Sequence, residues 1–448
     1  MASIFDGCSG APMLGWAIAP DETRHHPQMA NTDSTERNAP LKILAVTDFF
    51  PWPSTRGGLI RAATAVEALA TLGELDLFSL CDMRLPAREV PVGVRLTRLA
   101  TTAFPSLAWS RTQTAMAVLK RGVPLRIRLR SVDPQPRSDF AAFAADRYDL
   151  VWFRTPACWE WLGRPRLGPT IVDFDIIDDN VDLQRAKLHE TSKTGFRASV
   201  DRVLTRARIG LSAYDWKRFR LKVAADVDQV LLCSDLDAER LGVANCAVVP
   251  NTYPEPVRPA GKAAAEDPLT VLLPGTFDYE PNVDAATWLV QQIAPALRRR
   301  LPGAKVRLAG LATPEVAALD SRPAVTVTGL VPDMADELAQ ADIVVVPLRM
   351  GSGTRLKILE AFAHRVPVVS TTLGAEGIDA VDGEHLLLAD TVEEVVAACA
   401  RFQENPELRQ QVVDAAHRRY LERYTASGAT ARIRQLVMEV VSSTGGTR

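Results

Sequence analysis

Between Gly351 and Glu360 the chain reads Gly-Ser-Gly-Thr-Arg-Leu-Lys-Ile-Leu-Glu. Gly351 and Gly353 let a backbone approach a ligand closely, with Ser352 and Thr354 beside them. Arg355 and Lys357 bring two cations to what the spacing predicts is the first turn of a helix. A helix begins with backbone N–H groups that have no intrahelical partner and with the positive end of its dipole. Cations there oppose the dipole, whereas a bound polyanion reverses that sign. The segment therefore suits a phosphate or diphosphate; an ordinary tight turn with solvated cations is the alternative. It matches neither the phosphate loop of nucleotide hydrolases nor G-x-G-x-x-G. Glu360 stands three residues after Lys357. It is either half of a surface ion pair worth a few tenths of a kcal/mol, or a carboxylate that accepts two hydrogen bonds from a sugar diol.

The elements that must hold these residues follow from the flanking pattern. The apolar run Ile343–Val346 reads as a buried parallel strand, followed by Pro347 and the glycine turn. Helical spacing starts at about Thr354 and places Leu356, Leu359 and Ala363 on one face, and Val366–Ser370 forms the next buried strand. Strand, turn, helix, strand is a βαβ unit. The same alternation runs through both halves of the chain, which predicts two α/β lobes, each with a parallel sheet covered on both faces. The first half opens with the strand Ile43–Thr47 and a helix begun by Gly57-Gly58. Further strands are expected at 74–80, 94–99, 150–153, 170–174 and 229–233, with helices around 107–120 and 139–146. The second half is expected to place strands at 269–273, 305–309, 325–328, 343–346, 366–370 and 385–388. Its helices are expected at 283–300, 333–340, 354–364 and 392–404, then near 406–424 and 427–441. The predicted organisation is a disordered tail over 1–40, a first lobe over 41–255 and a linker over 256–267. A second lobe over 268–425 and a C-terminal helix and tail over 426–448 complete it. In open parallel sheets ligands gather beyond the carboxyl ends of the strands, and both glycine turns sit at such ends.

At 448 residues the chain exceeds one ordinary core. It is 47% hydrophobic and 24% charged with a net charge of −2, which suits a globular protein without a global basic signal for nucleic acid. No apolar run approaches the roughly 20 residues needed to span a bilayer, and the stretch Met13–Pro20 is too short for a signal peptide. Met29 offers an alternative start. The six cysteines are scattered without C-x-x-C pairs, which points to a reducing compartment and to no zinc site. Between Arg185 and Lys222, 11 Lys/Arg stand against three acids. Two readings are open for that segment. It is a long helix with a solvated basic face and Val200, Val203, Leu204 and Leu211 turned inward, or a surface that rests on anionic lipid.

The chain resembles a nucleotide-sugar glycosyltransferase of the GT-B fold, and within that fold is most similar to glycosyltransferase family 4. The ordered set of segments carries the resemblance: Gly57-Gly58 after the first strand, Val230-LLCSDLDAERL leading to Val248-VPNTY, Pro274-GTFDYEPNVDAATWL, Val327-TGLVPDMADELAQADIVVVPL, and the block around Gly351–Ala361. The resemblance implies two Rossmann-like domains facing across a cleft. It implies retaining transfer of a sugar from a UDP- or GDP-sugar to a glycan, lipid-linked or small-molecule acceptor, in the cytoplasm or peripherally on the inner membrane face. No metal or other cofactor is expected. Mapped here, Gly329 and Val331 lie where the base is contacted, Glu360 where the ribose is held, and Gly353 and Thr354 where the diphosphate lies; Gly275, Asn282, Gly351 and Ser352 join the donor set. Arg355, Lys357 and Glu360 are the expected catalytic residues. Arg56, Gly57, Gly58, Arg61, Arg154 and Asp175 are the expected acceptor side.

The chain departs from that pattern in places. Family members carry paired glutamates with seven residues between them, and the first position is Ser352 here. The loop Gly275-TFDYEPN lacks the Arg and Lys usual after the first strand of the donor lobe, so Arg355 and Lys357 are expected to neutralise the diphosphate from the opposite side. A histidine common after a middle strand of the first lobe is replaced by Arg154 and Thr155. Asp173, Asp175, Asp178 and Asp179 crowd a strand end, as an acidic loop, an acceptor site or a cation site. Trp52 either lines the cleft or packs its loop. The rivals to transfer are a nucleotide-sugar epimerase of the same architecture and a catalytically silent binding or scaffold protein.

Overall fold

The structure is a computed structural model that describes residues 40–54, 57–81, 89–103, 122–130, 134–175, 196–258, 261–262, 268–351 and 353–445. Short apolar runs rich in Val, Ile and Leu become strands buried on both faces, as a parallel sheet covered by helices requires. The first sheet contains β1 (Leu41–Thr47), β2 (Gly73–Cys81), β3 (Arg98–Ala103), β4 (Leu150–Arg154), β5 (Thr170–Asp173), β6 (Gln229–Leu232) and β7 (Cys246–Val248). Their order is β3-β2-β1-β4-β5-β6-β7, and the pairings are parallel. The second contains β8 (Thr270–Pro274), β9 (Lys305–Ala309), β10 (Val325–Gly329), β11 (Ile343–Val346), β12 (Val368–Ser370) and β13 (Leu387–Leu388), ordered β10-β9-β8-β11-β12-β13. In each sheet the order reverses beside the first strand, between β1 and β4 and between β8 and β11. A crevice opens at such a switch point. The loops after β1, β8 and β11 are those that carry Gly57-Gly58, Gly275–Asn282 and Gly351–Glu360.

Some expected elements shift for identifiable reasons. The strand expected over 94–99 is Arg98–Ala103, because parallel pairing places Arg98 opposite Asp76 and Ala103 opposite Cys81. The helix expected over 139–146 is Gln135–Phe143, started by Pro136 in its first turn. The helix expected over 283–300 begins earlier, at Glu280, and contains a π-helical turn, Leu289–Ile293, before Ala294–Arg300. Pro295 lacks an N–H and its ring would crowd the carbonyl four residues back, so the wider turn before it relieves the conflict. The helix expected at 107–120 lies outside the described residues.

The two lobes have separate cores. That of the second is built on Val271, Leu273, Val345, Leu359 and Phe362. The C-terminal helix, Ala426–Gly445, packs Ala429, Ile433, Val437 and Val441 among the buried residues of the first lobe, together with Ala65, Val66 and Leu69 of the helix Gly57–Ala70. The chain end is therefore part of the first lobe's core. Ion pairs tie the lobes together: Arg423 to Asp235 at 3.0 Å, and Arg240 to Glu376. The basic segment forms the long helix Phe196–Asp226, with Phe219 and Val223 buried and Lys217, Arg218 and Lys222 exposed. Among the described residues no helix is long and apolar enough to cross a membrane.

Candidate active site

The helix after β11 is Leu356–Ala363, two residues later in its start than the spacing predicts. Arg355 is thus not in the first turn; it is the flanking N-cap residue, extended at φ −86° and ψ 90°, and offers no side-chain cap. The position that Ser, Thr, Asp or Asn ordinarily fills to satisfy the first amides is held by a cation instead. The backbone reaches it through left-handed glycines, Gly351 at φ 136° and Gly353 at φ 75°. The Arg355 guanidinium folds back so that Nη1 donates to the Gly353 carbonyl, and a Cβ at position 351 would lie 3.0 Å from Nη2. Arg355 is 7% exposed, and burial lowers its pKa. Thr354 lies against the Cys233 thiol of the first lobe, which burial pushes up to about 12.

Lys357, in the first turn, reaches the loop after β8. Its Nζ donates to Asn282 Oδ1 at 2.7 Å, and Asn282 Nδ2 donates to the Thr276 carbonyl at 2.8 Å. A Cβ on Gly275 would stand 3.2 Å from both Lys357 Nζ and Asn282 Nδ2, so the glycine is what admits the ammonium. The loop without a cation of its own receives one from the neighbouring strand's helix. Burial first, and then the Arg355 charge, push the Lys357 pKa down to about 7, with Glu360 opposing.

Glu360 is not an ion-pair partner of Lys357 among the described residues. Its Oε1 accepts from the Tyr253 hydroxyl at 2.8 Å. Burial raises its pKa to about 7, against the Tyr253 hydrogen bond and the Lys357 charge, with Asp333 adding to the rise. Asp333 caps the next helix, Met334–Gln340, four residues after Gly329. Gly329 sits at φ 73°, with open space where a Cβ would be. Leu330 is 80% exposed beside the partly buried Val331. Gly329, Val331 and Glu360 therefore gather at one end of the second sheet. Tyr253 was not foreseeable: it sits in a Pro-rich stretch without periodicity.

Across from these residues stands the helix Gly57–Ala70. A Cβ on Gly57 would lie 2.7 Å from Leu356 Cδ1, so the first residues of the two helices meet through the Leu356 side chain. Two positive dipole ends that converge repel each other unless an anion lies near both. A Cβ on Gly58 would lie 2.6 Å from Arg154 Nη2. Arg154 in turn pairs with Asp48 and, at 2.8 Å, with Asp175 Oδ2. Asp175 takes a left-handed backbone at φ 50° and donates its N–H to Asp173 Oδ1. Arg61 departs from the expectation of acceptor contact. It is 6% exposed and holds Asp173 through Nε at 2.7 Å and Nη2 at 2.8 Å, with Nη1 on the Val249 carbonyl and Asn251. Its donors are spent inside the lobe. Asp48 escaped the sequence reading; burial raises its pKa, while Arg154 lowers it. Trp52 packs its loop, edge-on to Phe50, and donates Nε1–H to Glu67. Arg56, Asp178, Asp179 and Ser352 lie outside the described residues. Among the described residues no group of three His, Cys, Asp or Glu side chains is placed to hold a metal.

Residues 268–405 match the model of the glycosyl transferases group 1 family. The match lies within the second lobe. A protein of Klebsiella pneumoniae described as an uncharacterized 44.6 kDa protein in the cps region is 20% identical over 362 residues, 78% of this chain and 87% of that one. An exopolysaccharide phosphotransferase of Streptomyces coelicolor is 28% identical over 216 residues, 46% of this chain but only 22% of that protein. Among solved structures, a sucrose-phosphate synthase of Thermosynechococcus elongatus aligns with a TM-score of 0.60 at 15% identity, covering 90% of this chain and 100% of that one. HepE of Anabaena, in complex with UDP and glucose, aligns with a TM-score of 0.54 at 13% identity over 90% and 100% of the chains. At these identities the structures establish the fold, which is GT-B: two Rossmann-like parallel-sheet lobes.

Proposed function

We propose that this glycosyltransferase moves a sugar, with retention of anomeric configuration, from a UDP- or GDP-sugar to a hydroxyl of a glycan, lipid-linked or small-molecule acceptor. The observation that carries the reading is the uncapped N-terminus of Leu356–Ala363, whose Lys357 ammonium is delivered to Asn282 and Gly275 at the sheet's switch point. In this reading the donor diphosphate lies between that helix end and the end opened by Gly57. The Lys357 ammonium, the Arg355 guanidinium and the free amides then take up the charge that develops as the anomeric C–O bond breaks. Glu360 accepts the ribose hydroxyls, and Gly329 and Val331 frame the base. The acceptor approaches over Gly58, Arg154 and Asp175. The HepE structures with UDP, glucose and UDP-glucose support the donor class, and the cps-region relative supports a place in polysaccharide assembly. The Streptomyces relative shares too small a part of its length for its phosphotransfer chemistry to be carried over.

A thermal-shift panel of nucleoside diphosphates and their sugars tests this, because a ligand specific for the folded state raises Tm by mass action. UDP or GDP and one of its sugars are expected to stand out, with EDTA leaving the shift and the turnover intact. A flat panel sinks the reading. Nucleotide binding without transfer or donor hydrolysis across many acceptors would favour a silent relative, and an isomerised donor without acceptor would favour an epimerase.

A further inference from the structure

We infer that Tyr253 is a positioning residue for the ribose end of the donor site: its hydroxyl holds one oxygen of the Glu360 carboxylate so that the group faces the nucleotide diol. The inference rests on the reading of Glu360 as the ribose acceptor. Tyr253 comes from the segment between the last strand of the first sheet and the second lobe, and reaches 107 residues ahead in sequence to make this bond.

Its main chain is fixed at both polar ends by the close of the long helix Pro406–Arg423. Tyr253 N–H donates to the Tyr424 carbonyl at 3.1 Å, and the Tyr420 hydroxyl donates to the Tyr253 carbonyl at 3.0 Å. Its ring lies edge-on to His364, with centroids 6.1 Å apart. A phenol held in that way is a rigid donor, and a carboxylate that gives one oxygen to it keeps further acceptor positions for a diol. Both groups that fix the Tyr253 main chain, the Tyr424 carbonyl and the Tyr420 hydroxyl, belong to the passage where the chain turns from the second lobe back towards the first, just before Ala426–Gly445. The ribose carboxylate is thereby tied to the crossover that joins the lobes.

The charged and titratable surroundings of Glu360 are Lys357 on its own helix, Asp333 beyond β10, and Tyr253 itself, with His364 against the Tyr253 ring. Asp333 and burial disfavour the carboxylate, while Lys357 and Tyr253 favour it. Removal of the phenol hydroxyl removes one of the two favourable contacts, so Glu360 holds its proton to higher pH.

The test uses the full chain with Tyr253→Phe, and measures Kd for UDP, GDP and their 2′,3′-dideoxy forms across pH 6 to 8. The nucleotide that binds is expected to lose roughly tenfold in affinity, the order of one hydrogen bond to a charged group. Its dideoxy form is expected to lose little, and the acid limb of its binding curve to move to higher pH. Unchanged or tighter binding, or equal losses with and without the diol, overturns the inference. Tyr420→Phe is the second variant: it keeps the phenol but frees its carbonyl anchor, and is expected to show a smaller loss of the same diol-dependent kind. Glu360→Gln separates the two levels of the argument. If it leaves diol discrimination intact, the ribose reading of Glu360 fails; if it abolishes discrimination while Tyr253→Phe preserves it, only the role of Tyr253 fails.

Discussion

Lys357→Gln separates the cost of the Lys357 charge from its use. Glutamine keeps an N–H donor for Asn282 on a shorter stem and removes the positive charge from the first turn of Leu356–Ala363. Without ligand, that charge opposes the helix dipole and is partly desolvated, so its loss is expected to stabilise the apo protein by about 0.5 kcal/mol, the usual scale of a terminal charge–dipole interaction. With a nucleoside diphosphate bound, the same substitution removes one charge-assisted hydrogen bond. That is worth about 2 kcal/mol, or roughly thirtyfold in Kd. Opposite signs on apo stability and on affinity are the signature of a group held for its ligand. Chemical denaturation at pH 6, where Lys357 carries its charge given a pKa of about 7, measures the first. Isothermal titration with UDP and GDP at the same pH measures the second. A variant that is less stable and binds with unchanged affinity would mean that Lys357 is an ordinary structural tether, and the reading of the site would go with it.

Three further outcomes follow from the same geometry. Nucleotide affinity is expected to peak near pH 7. Glu360, held at about 7, loses its carboxylate below that, and Lys357, also at about 7, loses its cation above it; a flat titration between pH 5.5 and 8.5 contradicts this. Apo stability should show the reverse trend from this pair. The raised Glu360 pKa makes stability fall between about pH 4.5 and 7, and the lowered Lys357 pKa makes it rise from about 7 towards 10.5, which Tm against pH records. Asp173→Ala leaves the Arg61 guanidinium buried without its bidentate partner and should cost about 3–5 kcal/mol in urea denaturation; Arg61→Met with Asp173→Leu should recover most of it.

What could be read from the sequence was whatever depends on local pattern. The buried runs Ile343–Val346 and Lys305–Ala309 appear as strands at the expected residues, and Val392–Glu404 is a helix at the expected residues with a capping box at Thr391 and Glu394. Gly351, Gly353, Lys357 and Glu360 could be singled out because glycine freedom and charge against a helix dipole are properties of a few neighbouring residues. Partners distant in sequence could not be read in the same way. Asn282 lies 75 residues from Lys357, and Tyr253 is 107 from Glu360. An ion pair of Glu360 with Lys357, one of the two readings open from the sequence, is the local solution, and each side chain instead hydrogen-bonds a neutral partner from another element. The same reason accounts for Arg61. A cation near a glycine turn looks available for ligand until the sheet brings Asp173 and the Val249 carbonyl to it from 112 and 188 residues away.

These pairings give the two sides of the site unlike electrostatics. In the first lobe Arg61 and Arg154 face three carboxyl groups, Asp48, Asp173 and Asp175, so each guanidinium is already neutralised by its own lobe. In the second lobe Lys357 is met by the neutral amide of Asn282 and Arg355 by a backbone carbonyl. The Asn282 amide orients the Lys357 ammonium without cancelling its charge, while the Glu360 carboxyl group acts on it from the same helix. On the proposed reading, the Lys357 charge draws a departing diphosphate towards the second lobe and away from the carboxyl groups of the first. Charge reversal on the acceptor side by Asp175→Lys should weaken this separation. It is expected to strengthen binding of free UDP or GDP while it slows turnover, and a parallel gain in both would contradict the assignment of sides.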